Sequence, residues 1–264
     1  LVSRCLNGVT HVVHLAAIVG DKPCQAAPES TFLINFEGTQ ILSNLSKKSG
    51  IDKFVFASTC SNYGKMIDTS QYVTEESELR PVSLYAENKV AVETSLLSES
   101  SQDSVNVTIL RLATAFGLSP RMRFDLTVNE FTKELALERE LMVFGEQFWR
   151  PYCYVGDFSE AILTVLNAPK HKVAYNVFNV GDTKENYSKK MIVNELLKLI
   201  PEAKIKYVRK EEDPRNYRVR FNKIKDELGF RISKTVPEGM DEILRSIRLG
   251  IIEDPDNKQF YNIP

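Results

Sequence analysis

The chain has 264 residues, 43% apolar and 26% charged, with a net charge of −1, enough for one large α/β domain with a real core. Basic and acidic residues are interspersed, so composition points to neither nucleic acid nor a membrane as partner. No apolar run approaches the roughly 20 residues of a membrane helix. The first residues lack the basic-then-apolar pattern of a secretory leader. Cys5, Cys24, Cys60 and Cys153 are scattered, and His11, His14 and His171 have no ligand spacing. Neither zinc nor a disulfide framework is expected; reduced thiols in a cytoplasm are the simpler reading.

In chain order, residues 1–7 read as the end of a helix stopped by Gly8. Residues 9–17 form a short apolar run that suits a parallel strand buried on both faces. A loop is expected over 18–29, where Gly20, Pro23 and Pro28 fall. A helix follows over 30–49, offering Phe32, Ile34, Phe36, Ile41, Leu42 and Leu45 to a core. Residues 53–58 are a second buried strand, ending in the hydroxyl-rich Ser58-Thr59-Cys60-Ser61-Asn62-Tyr63-Gly64. After a long loop, a helix is predicted over 83–100 and a third strand over 105–112. This β–α alternation indicates a parallel sheet, in which ligands bind beyond the carboxyl ends of the strands.

The second half has a different texture. Helices are expected over 124–141, 155–167, 188–200, 221–228 and 236–249, and short strands over 142–145, 152–155, 174–181 and 204–208. The overall expectation is a Rossmann-like, doubly wound parallel sheet over 1–118, with a smaller mixed α/β lobe over 119–264. Segments of about 150–185 are expected to return to the main sheet.

Tyr85 and Lys89 are the pair that suggests chemistry. Four residues apart on a helix, they share one face and can address one spot. An ammonium beside a phenol favours the phenolate, and a hydroxyl from Thr59 or Ser58 can bond the same substrate oxygen. Such a set moves a proton on and off an alcohol while hydride leaves the same carbon. Alone, Tyr-x-x-x-Lys is as readily a surface tyrosine and a solvated lysine.

The ordered set of motifs resembles the extended short-chain dehydrogenase/reductases, in particular their NAD-dependent nucleotide-sugar epimerase/dehydratase branch. His14-Leu15-Ala16-Ala17 is similar to that family's strand end against the cofactor, and Asn35-Phe36-Glu37-Gly38-Thr39 to its Asn-x-x-Gly-Thr helix. The 58–64 segment resembles its Ser-Ser/Thr-x-x-x-Tyr-Gly stretch, and Tyr85-x-x-x-Lys89 its catalytic helix. Residues 111–117 resemble its Arg-x-x-Asn-x-Tyr-Gly turn. Phe144-Gly145 and Arg150-x-Tyr152-x-Tyr154-Val155-x-Asp157 resemble its substrate-lobe signature.

The resemblance implies NAD as cofactor, with NADP left open, a nucleotide-diphosphate sugar as substrate, and a homodimer formed through the 30–49 and 83–100 helices. Tyr85 would be the acid/base at the sugar 4-hydroxyl. Lys89 would lower its pKa and hold the nicotinamide ribose, with Thr59 as third member. Leu15, Ala16, Ala17, Asn35, Ser58 and Ala113 would border the cofactor. Cys60, Ser61, Thr114, Asn129 and Phe144 would border the substrate, with Arg150 on its pyrophosphate and Asp213 on its ribose. Thr114 stands where the family usually has asparagine. Arg121 and Arg123 either read an anionic sugar substituent or cover the surface.

Cys60 and Ser61 occupy positions at which dehydrating and decarboxylating relatives carry carboxylates. Their identity favours oxidation–reduction at C4 without elimination, by an epimerase or a 4-ketoreductase. Cys60 as a proton donor competes with a small packed thiol. A degenerate, non-catalytic binding fold is the remaining alternative. None of the twelve glycines forms the family's Gly-x-x-Gly-x-x-Gly turn. On this reading roughly 60 residues, about two β–α units, precede the matched region in the family. The chain is then expected to be a fragment that binds NAD poorly alone, its first strand an exposed edge. A minimal domain with that edge strand is the other reading.

Overall fold

The structure, a computed structural model, describes residues 2–66, 68–98, 105–211, 213 and 215–262. The first half begins with α1 (Val2–Cys5), β1 (His11–His14), α2 (Asp21–Ala26) and α3 (Pro28–Thr31). A π-helical segment, Phe32–Glu37, leads without a break into α4 (Gly38–Lys48). Then come β2 (Lys53–Thr59), a 3₁₀ turn over Cys60–Tyr63, α5 (Leu84–Ser98) and β3 (Asn106–Leu112). Residues 99 and 100, expected to end the α5 helix, lie outside the described residues.

The second half contains β4 (Thr114–Phe116), α6 (Thr127–Ala136), β5 (Leu141–Phe144), β6 (Trp149–Tyr154) and α7 (Val155–Asn167). It continues with α8 (Lys170–Val173), β7 (Asn176–Val180), β8 (Asn186–Ser188), α9 (Lys189–Leu199) and β9 (Ile205–Val208). α10 (Asn222–Leu228) and α11 (Val236–Arg248) follow.

The main sheet is parallel throughout, in the order β1-β2-β3-β7. Strand alternation sorts its side chains to two faces. Phe54, Phe56, Val107 and Ile109 pack with Val92, Leu96, Leu42 and Leu45 on the α4/α5 side. Val55, Leu110, Phe178 and Val180 pack with Ala161, Val165 and Ile224 on the α7/α10 side. Each fully buried phenylalanine contributes about 1.5–3 kcal/mol through the apolar area it removes from water. Helices on both faces make this the doubly wound sheet expected from the β–α alternation.

Several sequence expectations are corrected. The first strand is shorter than 9–17 and is not buried on both faces. It is the edge strand, and Leu15 just beyond it is 58% exposed. The loop expected over 18–29 contains α2 and α3, the latter started by Pro28 in its first turn, where a missing N–H costs nothing. Within 30–49, Phe36, Leu42 and Leu45 join the core, whereas Phe32, Ile34 and Ile41 face outward. The π segment shifts the helical phase, so apolar residues before and after it do not share one 3.6-residue stripe. Of the 150–185 stretch, β7 joins the main sheet, while β6 pairs with β4 and β8 in a separate three-stranded sheet.

The rest of the second half packs α6, α9 and α11 around Phe116, Phe131, Tyr152 and Met240. Local signals set its helix ends. Ser188 caps α9 by accepting from Met191 N at 3.3 Å, and Thr235 and Glu238 form a capping box on α11. The helix expected over 124–141 is limited to α6, and Glu138 just beyond it adopts a left-handed φ of 57°.

Candidate active site

β2 and β3 end side by side at Thr59 and Leu112, and α5 packs against β2 with Tyr85 in its first turn. A cleft of about 250 Å³ opens at these strand ends. Its floor is Ser58, Thr59, Ser61, Ala113 and Thr114, and Tyr85 closes one side. Arg123, Arg215 and Tyr217 come from the second half, and Gly20 and Asp21 from the start of α2. A larger cavity of about 540 Å³ lies between Pro120, Ser246 and Phe260, but none of the candidate catalytic residues reaches it. The smaller cleft is the one that Thr59 and Tyr85 line.

Hydroxyls line it in a row. Thr59 ends β2 in extended conformation and caps the following 3₁₀ turn, accepting from Ser61 N at 3.1 Å. Its Oγ1 is 2.7 Å from Ser61 Oγ. The Tyr85 hydroxyl meets Thr59, and the Tyr217 hydroxyl meets Ser61. Burial raises the Tyr85 phenol above the ordinary tyrosine range, with the nearby Cys24 and Asp21 acting in the same direction and Thr59 opposing.

Lys89 reaches from α5 to β2: its buried ammonium donates to Ala57 O at 2.7 Å and sits 4.4 Å from the centroid of the Phe56 ring. Burial also lowers Lys89 itself to about 8, against an opposing pull from Glu93.

Glu93 extends the helical face of Tyr85 and Lys89 by one more turn, where it is fully engaged. It accepts from Ser58 Oγ, from Asn62 Nδ2 at 2.8 Å, and from Arg111 Nη2 at 2.7 Å. Arg111 Nη1 donates on to the Tyr63 hydroxyl at 3.0 Å, which donates to Asn179 Oδ1 at 2.8 Å. Ser58 lines the cleft but gives its hydroxyl to this network. The turn after Tyr63 needs Gly64, at φ 66°, because a Cβ there would lie 1.8 Å from Arg80 O.

Asn35, buried within the π segment, accepts from Ile18 N at 2.8 Å and donates to Ile18 O at 2.9 Å, pinning the backbone beyond β1. Leu15 and Ala16 are exposed and Ala17 half-buried beside it. His14, which carried no role in the sequence reading, is buried with Nε2 2.9 Å from Thr39 Oγ1. Burial and the Lys89 charge lower it to about 4.

The remaining candidates separate. Cys60 is not among the residues that line the cleft: it is buried, its thiol donates to Arg111 O at 3.2 Å, and burial pushes that thiol well up. Asn129 supports the turn after β4, accepting from Gly117 N at 3.0 Å and donating to Arg123 O at 3.2 Å. Phe144 lies half-exposed beside a different depression, with Glu130 and Lys189. Arg150 and Asp213 pair with each other at 2.9 Å, and Arg150 lies over the Tyr217 ring. Arg123 lines the cleft and is held by Asp125 at 2.6 Å, whereas Arg121 binds the chain's last described turn through Gln259 O and Tyr261 O. Asp21, Arg215 and Tyr217 were not singled out from sequence. Only the spacing of Arg215 and Tyr217 from Asp213 offered a signal.

A profile of the NAD dependent epimerase/dehydratase family matches residues 2–181. Among curated proteins, an uncharacterized UDP-glucose epimerase, YtcB, of Bacillus subtilis (strain 168) is 31% identical over 178 residues, 67% of this chain and 54% of that protein. The dTDP-D-glucose 4,6-dehydratase of Mus musculus is 30% identical over 73% of this chain and 52% of its own length. The chain thus spans about half the length of the curated relatives it matches. Among solved structures, the Bacillus cereus UDP-glucuronic acid 4-epimerase in complex with UDP-glucuronic acid and NAD superposes with a TM-score of 0.82 at 25% identity, over 94% of this chain and 78% of that one. With the parallel sheet, the strand-end hydroxyls and the Tyr-x-x-x-Lys helix already in place, the profile match over more than half of the sequence places the chain in the NAD dependent epimerase/dehydratase family.

Proposed function

We propose that this chain carries the acid–base site and the sugar-binding lobe of a nucleotide-sugar epimerase that oxidises C4 transiently and reduces it again from the other face. The observation that carries this reading is the Tyr85–Thr59–Ser61 hydroxyl row in a cleft at the ends of β2 and β3, with no carboxylate at positions 60 and 61. In this role Tyr85 exchanges a proton with the 4-hydroxyl, and Thr59 fixes that oxygen against the phenol. Residues 1–118 with α7, β7 and α10 form the cofactor side, and the rest of 119–264 the substrate side. The chemistry of the relatives supports the class: UDP-glucose and UDP-glucuronate epimerases are among them.

The cofactor in this reading is NAD. Ala113 lines the cleft with a small side chain, Ala16 and Ala17 present small side chains just beyond β1, and Asn35 fixes the adjoining backbone, so the residues present fit the nicotinamide end. NAD, when bound, accepts hydride from C4 and returns it. Lys89, whose ammonium rests on Ala57 O at 2.7 Å, would hold the dinucleotide's ribose. We also propose a homodimer that covers the outward-facing Phe32, Leu33, Ile34 and Ile41.

The test uses the full-length protein with UDP-glucose and UDP-glucuronate and NAD as the sole nucleotide cofactor. Tyr85→Phe is expected to lower kcat by about 10²–10⁴-fold with little change in KM. Parent-like turnover by that variant would remove Tyr85 from the reaction. Stoichiometric consumption of NADPH would replace the epimerase by a 4-ketoreductase.

A further inference from the structure

We propose that Asp21 is a built-in occupant of an anion seat on Arg215. It holds the guanidinium across the mouth of the cleft until an anionic group of the nucleotide sugar displaces it. The inference rests on the proposed nucleotide-sugar reading and adds the residue that receives the substrate's charge and the one that competes for it.

The two partners come from opposite sides of the cleft. Asp21 opens α2 on the side of the main sheet, and Arg215 belongs to the segment that carries Asp213 and Tyr217. They meet once, Nη1 to Oδ2 at 3.0 Å. Arg215 Nε is buried without an acceptor, so the guanidinium fork is only partly used, although it suits a carboxylate or phosphate with two oxygens. The pair is also accessible: the Asp21 side chain is 23% exposed and that of Arg215 42%. Ion pairs in such surroundings are weak and readily exchanged for a better-matched anion.

Two other cations nearby are less free to serve: Arg123, which also lines the cleft, already spends Nε and Nη2 on the two oxygens of Asp125 at 2.6 and 2.8 Å. Arg150 is 12% exposed and already closed on Asp213. Asp213 also accepts from Arg215 N at 2.9 Å, which fixes the backbone that presents the Arg215 side chain. On the other side, Asn35 anchors Ile18 with two hydrogen bonds, whereas Gly20, at φ 100°, separates that anchor from Asp21. Asp21 therefore sits three residues beyond a fixed point, directly after a glycine at which the backbone has most freedom. Release of Asp21 leaves the cationic side of the seat in place.

Two parts of a nucleotide sugar offer the required anion: the diphosphate, present in every such molecule, and a sugar carboxylate, present in uronates. Calorimetric titration of the full-length protein with UDP, UDP-glucose and UDP-glucuronate separates them. Arg215→Met is expected to weaken binding at least tenfold. An equal loss for all three ligands assigns the diphosphate; a loss confined to UDP-glucuronate assigns the carboxylate. Asp21→Asn is expected to tighten the same ligand or ligands about 3–10-fold by removing the competitor, an order of magnitude in keeping with a weak exposed pair. Arg215→Lys, which keeps the charge without the fork, should recover part of the loss.

Unchanged affinity in Arg215→Met for all three ligands would overturn the seat. Weaker binding in Asp21→Asn would overturn the competitor role, making Asp21 a ligand contact instead. If the unsubstituted protein bound none of the three, the nucleotide-sugar reading itself would fail and this inference with it.

Discussion

Lys89 and His14 give the site a pH signature that can be derived residue by residue. Burial lowers Lys89 to about 8 from an ordinary 10.5, so between those values the unfolded chain binds more protons than the folded one. Stability from this group therefore rises with pH across that window and is lost as pH falls through it. The difference in unfolding free energy between the parent and Lys89→Met should move by roughly 3 kcal/mol in the parent's favour from pH 8 to 10.5, measured by urea titration. His14 follows the same sign lower down. Its fall from 6.5 to about 4 predicts stability lost on acidification between those values, and a flat difference between the parent and His14→Gln there would refute it. Glu93 is the residue whose loss should cost most. Glu93→Ala leaves Arg111 buried without its carboxylate, an expected destabilisation of about 3–5 kcal/mol by denaturant unfolding. The sequence offered Tyr85 and Lys89 because they lie four residues apart, and Thr59 through the hydroxyl-rich stretch around it. It could not show that Lys89 would turn to Ala57 O, since that depends on how β2 packs beneath α5.

Among elements, α7 shows how a buried charge can finish a helix. Lys53, at the start of β2, donates to Val165 O at 3.3 Å, Leu166 O at 2.5 Å and Ala168 O at 2.6 Å, satisfying carbonyls that a helix end leaves unpaired. Lys53→Met is expected to cost about 1–3 kcal/mol and to speed amide exchange in the last turn of α7. An exchange pattern identical to the parent's would sink the capping role. The bounds of α7 were legible to the residue, and those of β2 within one, because periodicity and Gly/Asn/Pro punctuation report local structure. The π segment was not, because the signal that marks it is the buried Asn35, whose partners on Ile18 lie 17 residues away. The same distance in sequence concealed α2 and α3, whose prolines read as loop.

For the whole molecule, the exposed apolar face decides what can be tested. Ile41 of α4 is 57% exposed, as Phe32, Leu33 and Ile34 of the π segment are also exposed, and the proposed dimer covers them. Ile41→Glu should shift the full-length protein toward monomer in sedimentation velocity without lowering its melting temperature; an unchanged dimer would move the interface elsewhere. Sequence by itself determined the α/β class, the parallel order of elements and the family resemblance, and it supplied Thr59, Tyr85 and Lys89 as the proposed catalytic set, because each rests on patterns within a few residues. Tertiary structure decided which residues share the cleft. It brought Asp21 to Arg215 and Tyr217 to Ser61, closed Arg150 on Asp213, and turned Cys60 inward. Those relations depend on where separate strands and loops end in space, and side-chain spacing along a chain carries no record of that.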